Sequence, residues 1–149
     1  MKFKRRKHNV PEALYHGSPV AGIDTLEPRA RRALRRFTRK RPVVFATGDP
    51  RFAVAMIPNI SDEVTIGYLN DRFFVEERKP GGLKKFKVPG TLYTVPTDNF
   101  VAGARNTDPY YEVVSVKPVP TLTQQKIESV LDYLRKNNAV IIRYNDGKR

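Results

Sequence analysis

Tyr15-His-Gly-Ser-Pro-Val-Ala-Gly22-Ile-Asp-Thr-Leu-Glu-Pro-Arg29 is the stretch on which the reading of this chain turns. Ala13-Leu-Tyr15 is a short apolar run, and the Gly17 and Pro19 that follow it end an extended segment in a turn. His16, Gly17 and Ser18 thereby set an imidazole, a backbone without a side chain and a hydroxyl side by side at a strand end, which is the chemistry of a small-ligand grip.

Outward from this stretch the chain reads mostly as strands and turns. Val43-Val-Phe-Ala-Thr47 is an apolar strand of the buried type, and Gly48-Asp49-Pro50 leads into a helix over 51–57, with Asp49 as N-cap and Pro50 at its first position. Val64, Ile66 and Tyr68 alternate with other residues as a strand does. Phe73-Phe-Val75, Leu92-Tyr-Thr-Val95 and Glu112-Val-Val-Ser-Val116 are further strands, the last broken by Pro118 and Pro120. Pro80-Gly-Gly-Leu-Lys-Lys-Phe-Lys87 reads as a basic loop. From Thr123 onward Ile127, Val130, Leu131 and Leu134 predict an amphipathic helix, followed by a last strand over Ala139–Ile142. Many short strands and few short helices indicate the α+β class.

The 149 residues, 40% of them apolar, suit a single domain over 13–149, preceded by a basic arm over 1–12 and interrupted by a basic insertion at 29–41. The absence of cysteine removes disulfides, thiolate metal sites and a cysteine nucleophile, and two histidines leave little with which to build a metal centre, so no metal is expected. No apolar run is long enough to span a membrane and none follows the basic start as a signal peptide would, which points to a cytoplasmic protein without a transmembrane segment.

Charge is the second strong feature. Lys plus Arg number 28 against 15 Asp plus Glu, a net +13 with a pI near 10.2. Such a balance is the electrostatic footprint of nucleic-acid binding, to RNA or DNA. The charge is clustered: Lys4, Arg5, Arg6 and Lys7 lie in the arm, and Arg29 to Arg41 holds eight basic residues in thirteen. There Ala30, Ala33, Leu34 and Phe37 recur at helical spacing, leaving Arg31, Arg32, Arg35 and Arg39, with Arg36, Lys40 and Arg41, for phosphate contact; the alternatives are a merely solvated face, or contact with a membrane surface or an acidic protein. Arginine outnumbers lysine here and favours bidentate recognition of phosphate.

The order of these motifs resembles the ADP-ribosyltransferase superfamily. A strand ending in His16-Gly17-Ser18, a strand ending in Phe45-Ala46 with a short helix behind it, and a late strand opening at Glu112 are similar to its His-Tyr-Glu branch, which includes the poly(ADP-ribose) polymerases. The stretch from Leu14 to Pro120 also resembles a group of small bacterial and phage proteins with the pattern YHGSP, LEPR, VFAT-DP and EVVS. The resemblance implies a compact ADP-ribosyltransferase-like fold with a mostly antiparallel split sheet, and NAD as cofactor. It further implies that Glu112 and His16 are catalytic, with Glu112 stabilising the positive charge that develops on the ribose. His16, Gly17, Ser18, Arg29, Phe45 and Phe52 would bind the cofactor: His16 through an adenosine ribose hydroxyl, Gly17 through the nicotinamide carboxamide and Arg29 through the pyrophosphate. Seven and ten residues beyond Phe45, where the polymerase pattern has a serine and a tyrosine, this chain has Phe52 and Ala55. Phe52 offers a ring in place of the tyrosine. The implied activity is ADP-ribosyl transfer on or near nucleic acid, to the nucleic acid or a protein acceptor. The alternatives are a catalytically inactive member of the fold that binds nucleic acid or a nucleotide, and an RNA 2′-phosphotransferase-like enzyme.

Overall fold

The computed structural model describes residues 13–29, 42–58, 62–102 and 112–145. The basic arm and the arginine-rich stretch over 30–41 lie outside the described residues, as does Tyr111. The architecture is α+β, with short strands and two short helices among the described residues. Its contacts divide the chain into two compact units, each assembled from separate pieces of sequence.

The first unit draws on Met1–His16, Gly22–Pro50 and Tyr93–Gln124. Its strands are β2 (Thr25–Leu26), β3 (Val44–Ala46), β7 (Val101–Ala102), β8 (Val113–Ser115) and β9 (Val119–Pro120), and β1 (Leu14–Ser18), β6 (Gly90–Val95) and β10 (Thr123–Ile127) each have residues in both units. One sheet runs β3-β8-β7 and another β1-β6-β10, while β2 pairs antiparallel with β9. The expected strand at Val43–Thr47 is present and buried throughout. Alternation sends Val44 and Ala46 into a cluster with Leu14, Leu26, Val95, Val113 and Val119. Each such burial stabilises the unit by about 1.5–3 kcal/mol. Pro120 does not end extended structure, because β9 is a short edge segment where a missing N–H is tolerated.

Thr123–Ile127 is a strand and not the start of the expected helix. Its first four residues are exposed, so no apolar stripe commits them to a helix, and pairing in the sheet decides their conformation. The helix begins only after Ser129, whose hydroxyl accepts the Asp132 N–H as an N-cap.

The second unit comprises Gly17–Ala21, Arg51–Leu92 and Gln125–Arg149. Helix α1 (Pro50–Ala55) opens on its proline, as the sequence indicates. β4 (Val64–Leu69) and β5 (Arg72–Glu77) form an antiparallel hairpin, and β11 (Val140–Ile142) adds to β5 in parallel. Asn70 and Asp71 both have positive φ, at 51° and 69°, as a two-residue hairpin turn requires. Helix α2 (Val130–Lys136) buries Val130, Leu131 and Leu134. The supposed loop at Pro80–Lys87 contains a 3₁₀ turn, Gly82–Phe86, because Leu83 and Phe86 stand three apart and are both drawn inside.

Glu77 ties this unit together: its carboxylate accepts the N–H of Leu83 and the N–H of Tyr144, each at 3.0 Å. The Leu83 N–H foremost, with Tyr144 N–H and Arg143 adding, holds its pKa below the ordinary 4.5 despite partial desolvation. The charged form is therefore favoured by folding, and its stabilisation is complete above pH 4.5 and lost as pH falls through the lower folded value. Glu77→Ala should cost about 1–2 kcal/mol at neutral pH after solvent screening. Urea melts of parent and variant should converge in acid; a constant difference from pH 7 to 3 would assign the loss to packing.

Candidate functional site

The site is built on one edge of β3. In an antiparallel ladder alternate residues of a strand address alternate neighbours, so Val44 and Ala46 face β8 while Val43, Phe45 and Thr47 present their backbone groups to the other side. Val43 exchanges both hydrogen bonds with Arg29, at 2.9 and 3.1 Å. Thr47 does the same with Tyr15, at 2.8 and 3.0 Å. Between them, a regular ladder would give the Phe45 carbonyl to the backbone of Gly17. Instead the carbonyl holds His16, whose Nδ1 lies 2.6 Å from it. A carbonyl cannot donate, so Nδ1 carries the proton, and Nε2 is the ring atom whose protonation sets the charge.

β1 and β3 thus belong to different sheets that meet at the single Tyr15–Thr47 bridge, and the imidazole sits immediately beyond it. Gly17 and Ser18 belong to the second unit. A Cβ on Gly17 would collide with the Ala53 carbonyl of α1 and lie 2.9 Å from Ile57 Cγ1, so glycine is needed there for backbone-to-helix packing. The Ser18 hydroxyl accepts the Val20 N–H and closes the turn.

Tyr93 was invisible as a site residue in the sequence, where it is one aromatic in an apolar strand. Its ring is fully buried, lies 6.5 Å from the His16 ring at 48°, and its hydroxyl accepts the Ile23 N–H at 3.1 Å. Gly22 N–H donates to Gln124 Oε1, and the Thr121 hydroxyl donates to the Ile23 carbonyl. The backbone after the His-Gly-Ser motif is thus pinned by side chains about a hundred residues on.

Glu112 directly precedes β8. Continuing the register Phe45↔Val114, Ala46↔Val113 one step brings it level with Thr47, so Tyr15-His16 and Glu112 flank Thr47 on opposite sides. The two strands are separated by two interstrand spacings, roughly 10 Å. Alternation places Glu112 on the face of Phe45 and Val114, and it is only 2% exposed. A carboxylate so enclosed costs several kcal/mol unless hydrogen-bonded. No buried side-chain polar atom among the described residues lacks a partner.

Four of the expected residues, His16, Arg29, Phe45 and Glu112, are thus gathered around β3, with Arg29 about 7 Å along the strand from the Phe45 station. Phe45 contributes its carbonyl, and its side chain is buried. Phe52 lies within α1. It is 2% exposed within α1, where Phe52 to Ala55 are all buried, so its ring is core and offers no face for stacking. Among the described residues no cluster of three or more metal-ligating side chains occurs, and no helix is long and apolar enough to cross a membrane.

Comparison with known protein families, curated proteins and solved structures finds no match to this chain.

Proposed function

We propose that the protein is an NAD-dependent ADP-ribosyltransferase-like protein acting on or near nucleic acid. The observation that carries this reading is the hydrogen bond from His16 Nδ1 to the Phe45 carbonyl just beyond the bridge between β1 and β3, with Glu112 one strand away on the far side of Thr47. NAD supplies a ribose made reactive by its bond to a good leaving group, nicotinamide. Glu112 is as enclosed as Phe52, so a ribose reaches it only if the residues covering it move; its carboxylate would then supply fixed negative charge for the positive charge that grows on that ribose, and an acceptor for one of its hydroxyls. His16 is held in one orientation by Phe45, and Nε2 is the atom that would meet an adenosine ribose hydroxyl. Arg29, exposed on the same edge, suits the pyrophosphate.

Burial of Phe52, together with Ala55 ten residues after Phe45, supplies no ring to stack on nicotinamide and favours a second reading, a nucleotide-binding protein of the same kind without transferase activity. Nicotinamide release from NAD by the purified protein, with RNA, DNA and cell extract as acceptors, separates the two. Release dependent on Glu112 supports the enzyme; NAD binding without release supports the binder; neither binding nor release removes both.

For the nucleic-acid partner the support lies in the distribution of charge. Residues 1–12 hold five basic and one acidic residue and residues 30–41 seven basic and no acidic one, so 11 of the 13 net positive charges sit in two short segments outside the described residues. Replacing Arg31, Arg32, Arg35 and Arg36 with Gln should lower the slope of log K against log salt by as much as ~3.6 for duplex DNA or ~2.8 for a single strand. An unchanged slope would remove these arginines from the interface.

A further inference from the structure

Arg78, Lys79, Lys84, Lys85 and Lys87 form a third concentration of positive charge, five basic residues in ten with no acidic one, and this one lies on described backbone in the second unit. The segment is held from several sides. Glu77 accepts the Leu83 N–H, the Glu63 carbonyl accepts the N–H groups of Arg78 and Lys79, and Leu83 and Phe86 are buried to 3% and 1%. Gly82 packs so closely that a Cβ there would lie 2.6 Å from the Glu63 carbonyl oxygen. Val130 N–H, at the start of α2, donates to the Val88 carbonyl just beyond.

This anchoring sorts the lysines. The turn buries Leu83 and Phe86 and leaves Lys84 outward within it, while Lys87 caps its end with its N–H donated to the Lys84 carbonyl at 3.1 Å, which keeps the two residues about 6 Å apart. Both are exposed. Lys79 is paired with Asp62 at 3.3 Å and Lys85 with Glu63 at 2.8 Å, and Arg78 bonds the Thr65 hydroxyl. Lys84 and Lys87 have no acidic partner among the described residues. One ordered turn therefore carries two lysines without an acidic partner among the described residues, while two of the three neighbouring cations, Lys79 and Lys85, are paired with carboxylates.

We propose that Lys84 and Lys87 form a second nucleic-acid contact that binds the phosphodiester backbone of one strand. Two lysine stems ~6 Å apart span neighbouring or alternate phosphates, which follow one another at ~3.4 Å along the helix axis. Lysine engages them as a point charge, so the contact adds affinity without reading base sequence. This rests on the nucleic-acid part of the proposed function and not on its NAD chemistry.

The test measures binding of the full chain to a labelled duplex DNA and to a labelled single-stranded RNA across a salt series. The double variant Lys84→Gln/Lys87→Gln should lower the log K against log salt slope by ~1.8 for the duplex or ~1.4 for the single strand, with an unchanged circular dichroism spectrum. The control Lys126→Gln/Arg135→Gln removes two exposed cations that lie beside Glu128 and Asp132 and should change the slope little. A slope equal to that of the parent overturns the proposal, and so does an equal fall in the control, which would mean that only net charge matters. If the parent shows no salt-dependent binding, the nucleic-acid reading falls, and this inference with it. Binding by the parent with no difference in the Lys84/Lys87 variant overturns this inference alone.

Discussion

Glu112→Gln is expected to lower nicotinamide release by about 10²–10³-fold while the protein remains folded. The substitution keeps the size of the side chain and one accepting oxygen, removes the negative charge and turns the second oxygen into an NH2 donor. Loss of activity would therefore report charge stabilisation at the ribose and not a cavity or a repacked strand. The position of Glu112 makes the comparison clean, because Val113 to Ser115, which follow it, are locked in register with Val44 to Ala46. Thermal melting of both proteins checks the fold, and single-turnover release of nicotinamide measures the chemistry. Equal rates in parent and variant would exclude Glu112 as the charge-bearing group.

Gly17→Ala should destabilise the chain by about 3 kcal/mol or more, a large part of the 5–15 kcal/mol that holds a typical domain together. The added methyl would meet the backbone carbonyl of Ala53 inside α1, and a helix carbonyl has no rotamer by which to withdraw. Gly90→Ala is the instructive comparison. There the nearest atoms are Ile57 Cγ2 at 2.7 Å and Cδ1 at 2.8 Å, with the Ser18 carbonyl oxygen at 3.1 Å, so the closest contacts are to a side chain that can shift in part and a cost of about 1–2 kcal/mol is expected. Urea denaturation of the two variants measures the difference. Similar costs would show that α1 shifts as a body to accommodate Gly17→Ala. Because Gly17 adjoins His16, the loss of NAD chemistry in Gly17→Ala would say nothing about ligand contact unless the variant is shown to be folded.

The strands that position the candidate residues are legible in the sequence, and each misread element has a local cause. His16 and Phe45 stand at the ends of apolar runs that the sequence marks as strands, but residue type does not say that the Phe45 carbonyl meets the imidazole. Phe52 was matched by its spacing from Phe45; spacing fixes the turn of α1 but not which of its faces the core claims. Tyr93 carried no signal, because a tyrosine within Leu92–Val95 satisfies the same strand pattern whether its hydroxyl is bonded to Ile23 or to water. At 123–127 the apolar spacing from Ile127 onward was extended backward into residues with no apolar face, whereas Ser129, with Asp132 three residues on, marked the true helix start.

By itself the sequence determined the α+β class, the strand at Val43–Thr47, the proline start of α1, the buried Val130, Leu131 and Leu134, and the concentration of charge, since each follows from residue type and local periodicity. Only the tertiary structure decided that β1 and β3 meet at the single Tyr15–Thr47 bridge, that the Phe45 carbonyl passes to an imidazole, and that Gly17 is a packing glycine against α1. It alone sorted the lysines of Arg78–Lys87 into paired and outward-facing ones. These outcomes depend on which distant backbone group arrives at each hydrogen-bonding station and how closely, and no periodicity within a single segment encodes that.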